Sequence, residues 1–155
     1  MPNDKAGNPS AENVAPNHVF DELKKFITND SHQNSPEFHY NLALAYLRHN
    51  DHEKAHDEFL TALYGIPDKL DCYRQLIDCC LELRWLDVAK EYISKAQKLP
   101  KLAEHDSMNL DYLLGLVYKD TGDRKKALKL FKKIYKKDRN FKSVAREIRD
   151  IENAV

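Results

Sequence analysis

Residues 114–131 read LGLVYKDTGDRKKALKLF, and one packing problem accounts for their order: two helices crossing closely around a tight turn. Gly115 and Ala127 let two backbones approach, Leu114, Tyr118 and Phe131 fill the space beside that contact, and Gly122 supplies the turn. The same set recurs upstream. Laying Ala55, Phe59 and Ala62 against residues 34 further on gives Ala89, Ile93 and Ala96, and Leu42 falls on Leu76. A further copy, offset by 38, supplies Leu114, Ala127, Phe131 and Ile134. The four extra residues fall in the connection from Pro100 to Asp106, where added loop length costs little. A period of this size marks stacked two-helix units.

The rest of the chain agrees with a helical reading. Hydrophobic residues make up 42% and charged residues 32% of the 155, with only four Gly, a composition that suits solvated helices better than a β-sandwich. The net charge is zero but unevenly placed. Residues 1–118 hold 12 Lys and Arg against 19 Asp and Glu, and residues 119–155 hold 13 against 6, so the two parts carry −7 and +7. A pI near 7 argues against a dedicated nucleic-acid binder yet leaves a basic C-terminal face to be explained. The first residues, MPNDKAGNPSAENVAPN, lack the apolar run of a secretory signal, and no segment reaches the roughly 18 apolar residues that a membrane span requires. Three cysteines, Cys72, Cys79 and Cys80, are odd in number and crowded into one helical stretch, which is no disulfide framework. A reducing, cytoplasmic setting is expected.

In chain order, residues 1–17 are too polar to offset the entropy of ordering and are expected as a disordered tail. Val19, Phe20, Leu23, Phe26 and Ile27 share one helical stripe, which predicts a leading amphipathic helix over 18–28, with a linker running to residue 30 and beyond. Ser35-Pro36 is a helix-start signal. Repeats are expected over 36–68, 70–100 and 107–138. After them Phe141, Val144, Ala145, Ile148 and Ile151 predict a capping helix over 140–153, because a stacked array exposes its last apolar face unless a polar-backed helix covers it. Eight helices are expected in all.

These repeats resemble the tetratricopeptide family. The first carries Leu42, Ala43, Tyr46, Ala55, Phe59, Ala62 and a closing Pro67; the third carries Leu114, Gly115, Tyr118, Gly122, Ala127 and Phe131. The second keeps Tyr73, Leu76, Ala89 and Ala96 but has Ile77 at the small position, Cys80 for Tyr, and Arg84-Trp85 at the turn. The family's first-helix Trp is absent, and its place holds His39, Tyr73 and Asp111. The resemblance implies an all-α superhelical array of three hairpins with a leading and a capping helix.

Several strings invite a chemical reading. His52-Glu53-Lys54-Ala55-His56 matches the zinc-protease pattern HExxH, with two imidazoles one turn apart. Against it stand Ala55 as the repeat's own packing position, a charged Lys54 inside the motif, and no third ligand on a nearby element. Weak surface metal binding by His49, His52 and His56 is a lesser alternative; the reading adopted is a solvated start to a helix. Cys72 and Cys79 are about 10 Å apart along one helix and no CxxC exists, so the thiols read as small core hydrophobes. No phosphate loop or nucleophile elbow is present, and neither enzyme activity nor a cofactor is expected.

Two surfaces remain. The basic run from Lys125 to Arg149 reads first as a solvated face, then as a dock for an acidic protein patch, then for nucleic acid or an anionic membrane surface. In a helix starting at Pro36, Glu37, Tyr40, Leu44, Leu47 and Arg48 form a stripe rotated away from the core stripe. By resemblance to the family this stripe lines a concave groove, and the matching positions are Asp71, Arg74, Asp78, Leu81 and Glu82, then Asn109, Tyr112, Leu116, Lys119 and Asp120. The expected contact set is Tyr40, Leu44, Leu47, Arg48, Arg74, Asp78, Leu81, Tyr112, Leu116 and Lys119, which would take a protein or peptide partner through apolar anchors and a charged rim. Self-occupancy of the groove by residues 18–28 is the alternative. Repeat arrays that clamp the carboxylate tail of heat-shock chaperones carry Lys, Asn and Arg where this chain has Tyr40, Leu44, Gln75, Asn109 and Leu113, so that partner is not expected.

Overall fold

A computed structural model describes residues 34–154. The tail and leading helix expected over 1–28 lie outside the described residues. Among those residues there are seven α-helices and no strand: α1 (Pro36–Arg48), α2 (His52–Leu63), α3 (Lys69–Glu82), α4 (Leu86–Gln97), α5 (Glu104–Asp120), α6 (Arg124–Lys137) and α7 (Val144–Asn153). Each helix packs on the next, from α1 on α2 through α6 on α7, which is an all-α array of stacked hairpins.

One turn chemistry closes all three hairpins. Asn50, Arg84 and Gly122 occupy equivalent positions and share a left-handed conformation, with φ of 59°, 60° and 85°. Each lets the following amide reach back five residues to the end of the previous helix: Asp51 N–H to Tyr46 O (3.0 Å), Trp85 N–H to Cys80 O (2.8 Å) and Asp123 N–H to Tyr118 O (2.8 Å). These bonds satisfy carbonyls that a helix end would otherwise orphan. Asp51 and Asp123 then cap the second helix by accepting from Lys54 N–H and Lys126 N–H. Trp85 stands at that position in the second repeat and offers no side-chain cap. Its ring packs edge-on against His56 with centroids 5.3 Å apart, so this hairpin trades a cap for an aromatic contact between repeats.

The helix crossings are built from equivalent triplets. Ala43, Ala55 and Phe59 form the first, Ile77, Ala89 and Ile93 the second, and all six are fully buried. In the third, Gly115 faces Phe131 so closely that a Cβ there would lie 2.6 Å from the ring, while Ala127 and Phe131 are fully buried. The second repeat solves the same crossing with two medium-sized residues, Ile77 and Ile93, in place of a small one and an aromatic. Cys72, Cys79 and Cys80 are fully buried free thiols, and Cys72 Sγ donates to Phe59 O at 3.2 Å. Burial pushes their thiols up to about 12, 11 and 12, respectively, so they are inert fillers.

Candidate partner-binding surface

The first helices α1, α3 and α5 carry the stripe predicted to meet a partner, and part of that stripe is spent on holding the stack together. Tyr40 donates its hydroxyl to the Asp71 carboxylate, and Arg74 pairs with Asp106. Lys119 Nζ donates to Glu147 Oε2 at 2.6 Å. These bonds step from α1 to α3, from α3 to α5, and from α5 to α7, so they fix the rotation of each unit on the next. Glu147 is 6% exposed, so Lys119 is its required counterion, and their hydrogen bond raises the Lys119 ammonium above its ordinary value.

Other members of the stripe sit below the surface. Tyr112 is 7% exposed, with its ring centroid 5.6 Å from that of Phe131 and 6.2 Å from that of Phe141, and Lys142 Nζ lies 5.2 Å over the same ring. Leu116 packs into the same cluster. Leu44, Leu47 and Leu81 are half-buried against the core of the first two repeats. Arg48 and Asp78 are exposed.

Asp78 is crowded by its neighbours. Its residue surface is exposed, yet desolvation raises its carboxyl above the ordinary range, Glu82 adds to the rise, and Lys142 and Arg74 oppose it. Lys142 is shifted in the complementary sense: desolvation lowers its ammonium, Asp78 raises it and Arg74 lowers it. Groups reached by water but crowded by protein on several sides behave in this way. Lys142 lies beyond α6 and Asp78 lies on α3, so charges from two different units act on one another, and Lys142 also stands over the Tyr112 ring. Lys142 holds a left-handed backbone, φ 45°, which a non-glycine residue adopts at a cost. The sequence placed Lys142 only in the basic run. Its turn toward the groove depends on a connection whose conformation no periodicity encodes.

The basic run is partly neutralised. Lys126, Lys132, Lys133 and Lys137 pair with Asp123, Glu152, Asp111 and Glu104 at 2.6–2.9 Å. Asp111, 6% exposed, also accepts from Gln97 Nε2 at 2.9 Å, so it ties α4, α5 and α6 together. Lys125, Lys129, Lys136 and Arg149 enter no ion pair among the described residues. Two clefts border this face. One of about 870 Å³ lies between α5 and α6, with Leu114, Tyr118 and Leu130 along it; another of about 500 Å³ lies between α6 and α7, with Tyr135 and Ile148.

The HExxH string resolves differently from its sequence reading as a solvated helix start. His56 is 7% exposed, its Nε2 and the Tyr92 hydroxyl share a hydrogen bond of 2.9 Å, and its Nδ1 meets Asp57 at 3.3 Å. The ring is part of the contact between α2 and α4, because it fills the space beneath Trp85. His52 Nδ1 is buried and has no hydrogen-bond partner among the described residues. No helix among the described residues is long and apolar enough to cross a membrane.

A family model described as the TT21 fifth ARM repeats domain matches residues 39–148. No curated protein matches the chain. Among solved structures, a crystal structure of MamA has 19% identity and a TM-score of 0.65, covering 86% of this chain and 72% of that one. MamA from residue 41 onward, from Desulfovibrio magneticus RS-1, has 17% identity and a TM-score of 0.62, covering 90% and 85%. PilF of Pseudomonas aeruginosa has 21% identity and a TM-score of 0.64, covering 76% of this chain and 52% of that one. At these identities the likeness is one of fold: a tetratricopeptide-like helical repeat.

Proposed function

The chain belongs to the family of the TT21 fifth ARM repeats domain, and from that premise we propose that it is a non-catalytic module that holds a segment of a partner protein on its concave face. Helical repeats of this kind serve in general as protein-interaction scaffolds. The observation that supports the finer reading is the opposed charges of Asp78 on α3 and Lys142 beyond α6, each shifted first by desolvation, with Lys142 Nζ standing 5.2 Å over the Tyr112 ring. Half-buried Leu44, Leu47 and Leu81 offer apolar side chains on α1 and α3, and Arg48 is an exposed charge beside Leu47 in sequence. Mixed charge around apolar anchors selects a partner by register and sequence.

Within the expected contact set this divides the labour. Tyr40, Arg74, Tyr112, Leu116 and Lys119 shape the surface, and Leu44, Leu47, Arg48, Asp78 and Leu81 meet the partner. His56 and the thiols are structural, and three buried free cysteines accord with a reducing compartment such as the cytoplasm. The test is affinity capture with the full chain and with Arg48→Glu plus Asp78→Lys, read by mass spectrometry. The double variant should lose the specific partners while keeping wild-type helicity. Capture that survives it but fails on Lys129→Glu plus Lys136→Glu would move the site to α6.

A further inference from the structure

The outward side of α6 has a feature that the concave-face reading does not use. Lys129, Lys132 and Lys136 recur at i, i+3 and i+7, which makes a ridge along one side of the helix. Lys132 and Lys136 border both clefts, the one toward α5 and the one toward α7. Lys132 is neutralised by Glu152 at 2.7 Å, whereas Lys129 and Lys136 pair with no carboxylate among the described residues. Beneath them the larger cleft is floored by Leu114, Tyr118 and Leu130, all half-buried, in a volume of about 870 Å³. Residues 119–155 carry a net +7.

Two ligand classes answer such a charge, and the floor decides between them. A phosphate backbone uses cations and planar stacking groups and gains nothing from a leucine floor. Internal pairing also leaves few free cations here, and the nearby tyrosines are already covered, Tyr118 by Lys126 at 5.2 Å and Tyr135 by Arg139 at 5.8 Å. An acidic amphipathic helix uses both parts of the surface. Its apolar side fills the cleft, and two carboxylates seven residues apart lie about 10 Å from one another, matching Lys129 and Lys136.

We propose that the cleft between α5 and α6 is a second docking surface, for an acidic amphipathic helix of a partner protein. The concave face and this cleft then engage different segments, so one module can bring two chains together.

The probe is a synthetic fluorescent peptide of four turns, with leucines on one stripe and glutamates beside it at i and i+7. Binding to the full-length protein is read by anisotropy. The expected result is saturable binding that weakens at least tenfold with Lys129→Glu plus Lys136→Glu, and by a similar factor when the peptide's leucines become serines. Both substituted lysines are exposed and enter no ion pair among the described residues, so circular dichroism should match wild type. Equal binding by the serine peptide would overturn the proposal, since charge alone would then be at work. Tighter binding of a single-stranded oligonucleotide, with a steeper salt dependence, would replace it by a nucleic-acid site. Absence of peptide binding at low salt would overturn it outright. Arg48→Glu plus Asp78→Lys should leave peptide binding unchanged, which separates this surface from the concave one.

Discussion

Gly115→Ala sets two effects of opposite sign against one another. In a helix, Ala is favoured over Gly by about 1 kcal/mol, so propensity alone predicts a more stable protein. The structure opposes this: the added methyl would lie 2.6, 2.8 and 3.1 Å from Cε1, Cζ and Cδ1 of Phe131. That ring is fully buried and held against Tyr112 at 5.6 Å, so it has no free direction in which to yield. Overpacking of this kind costs about 1–3 kcal/mol, and contact with three ring atoms of an immobile residue puts it near the top of that range. The net expectation is a loss of about 1–2 kcal/mol, a drop in Tm of roughly 4–8 °C, measured by urea and thermal unfolding with far-UV circular dichroism. Phe131→Leu withdraws the ring edge, so in that background Gly115→Ala should be neutral or stabilising, with a coupling of about 1–3 kcal/mol between the two sites. Gly122→Ala provides the contrast: φ is 85° and, its chain neighbours aside, no atom of the described residues lies within 4 Å of the added methyl, so its cost of about 1 kcal/mol is backbone strain and should add to Phe131→Leu without coupling. If Gly115→Ala is as stable as wild type, or costs the same in both backgrounds, the close crossing does not exist as described.

Three further outcomes follow from particular groups. The thiols of Cys72, Cys79 and Cys80, pushed up to about 12, 11 and 12, should resist a disulfide reagent at about pH 8 in the folded protein and react together once urea unfolds it; a rapidly titrating thiol in the native state would contradict their burial. Tyr92→Phe removes the hydroxyl 2.9 Å from His56 Nε2 and leaves a buried ring nitrogen unmatched, an expected loss of about 1–3 kcal/mol in urea unfolding; a change near zero would mean the bond is not formed. Asp78 has a folded-state pKa above its unfolded value, first through desolvation, so it favours folding below the ordinary carboxylate range and loses that contribution as pH rises through the raised value. Asp78→Asn should therefore raise Tm at neutral pH and leave it unchanged near about pH 3, where an ordinary aspartate is already protonated; a neutral-pH decrease would show instead that Lys142 and Arg74 stabilise the carboxylate.

The repeat was legible because its signal is carried by residues whose size alone matters. Ala55, Ala89 and Ala127 recur at fixed offsets since each sits where two helices cross, and a larger side chain there would force the crossing apart. Stripe membership was equally legible. The side of a helix follows from spacing, but what stands opposite that side follows from how one unit is rotated on the next. Tyr40 and Arg74 are equivalent by spacing, and both reach carboxylates of the following unit, Asp71 and Asp106. Their partners lie 31 and 32 residues on, close to one period, yet spacing alone cannot tell a rung between units from a contact offered to another protein. His56 escaped for a related reason. HExxH is a within-helix pattern, and its reading turned on Tyr92 of the next unit.

The second repeat shows which parts of the pattern are physically required. It departs from the family at the small position, the aromatic position and the turn, and it still closes with the same bond reaching back five residues, 2.8 Å from Trp85 N–H to Cys80 O. Arg84 accepts φ 60° where Gly122 has 85°, so left-handedness at the turn is obligatory and glycine is only its cheapest means. Ile77 with Ile93 replaces small-with-aromatic at the crossing, so the pair's joint size is conserved while its division is free. Trp85 gives up a helix cap and covers His56, which converts a local term into a contact between units. A degenerate repeat is therefore a reassignment: stability that the other hairpins obtain within themselves is here drawn from the neighbour. Disrupting the His56–Tyr92 contact should accordingly loosen the second hairpin before the first or third.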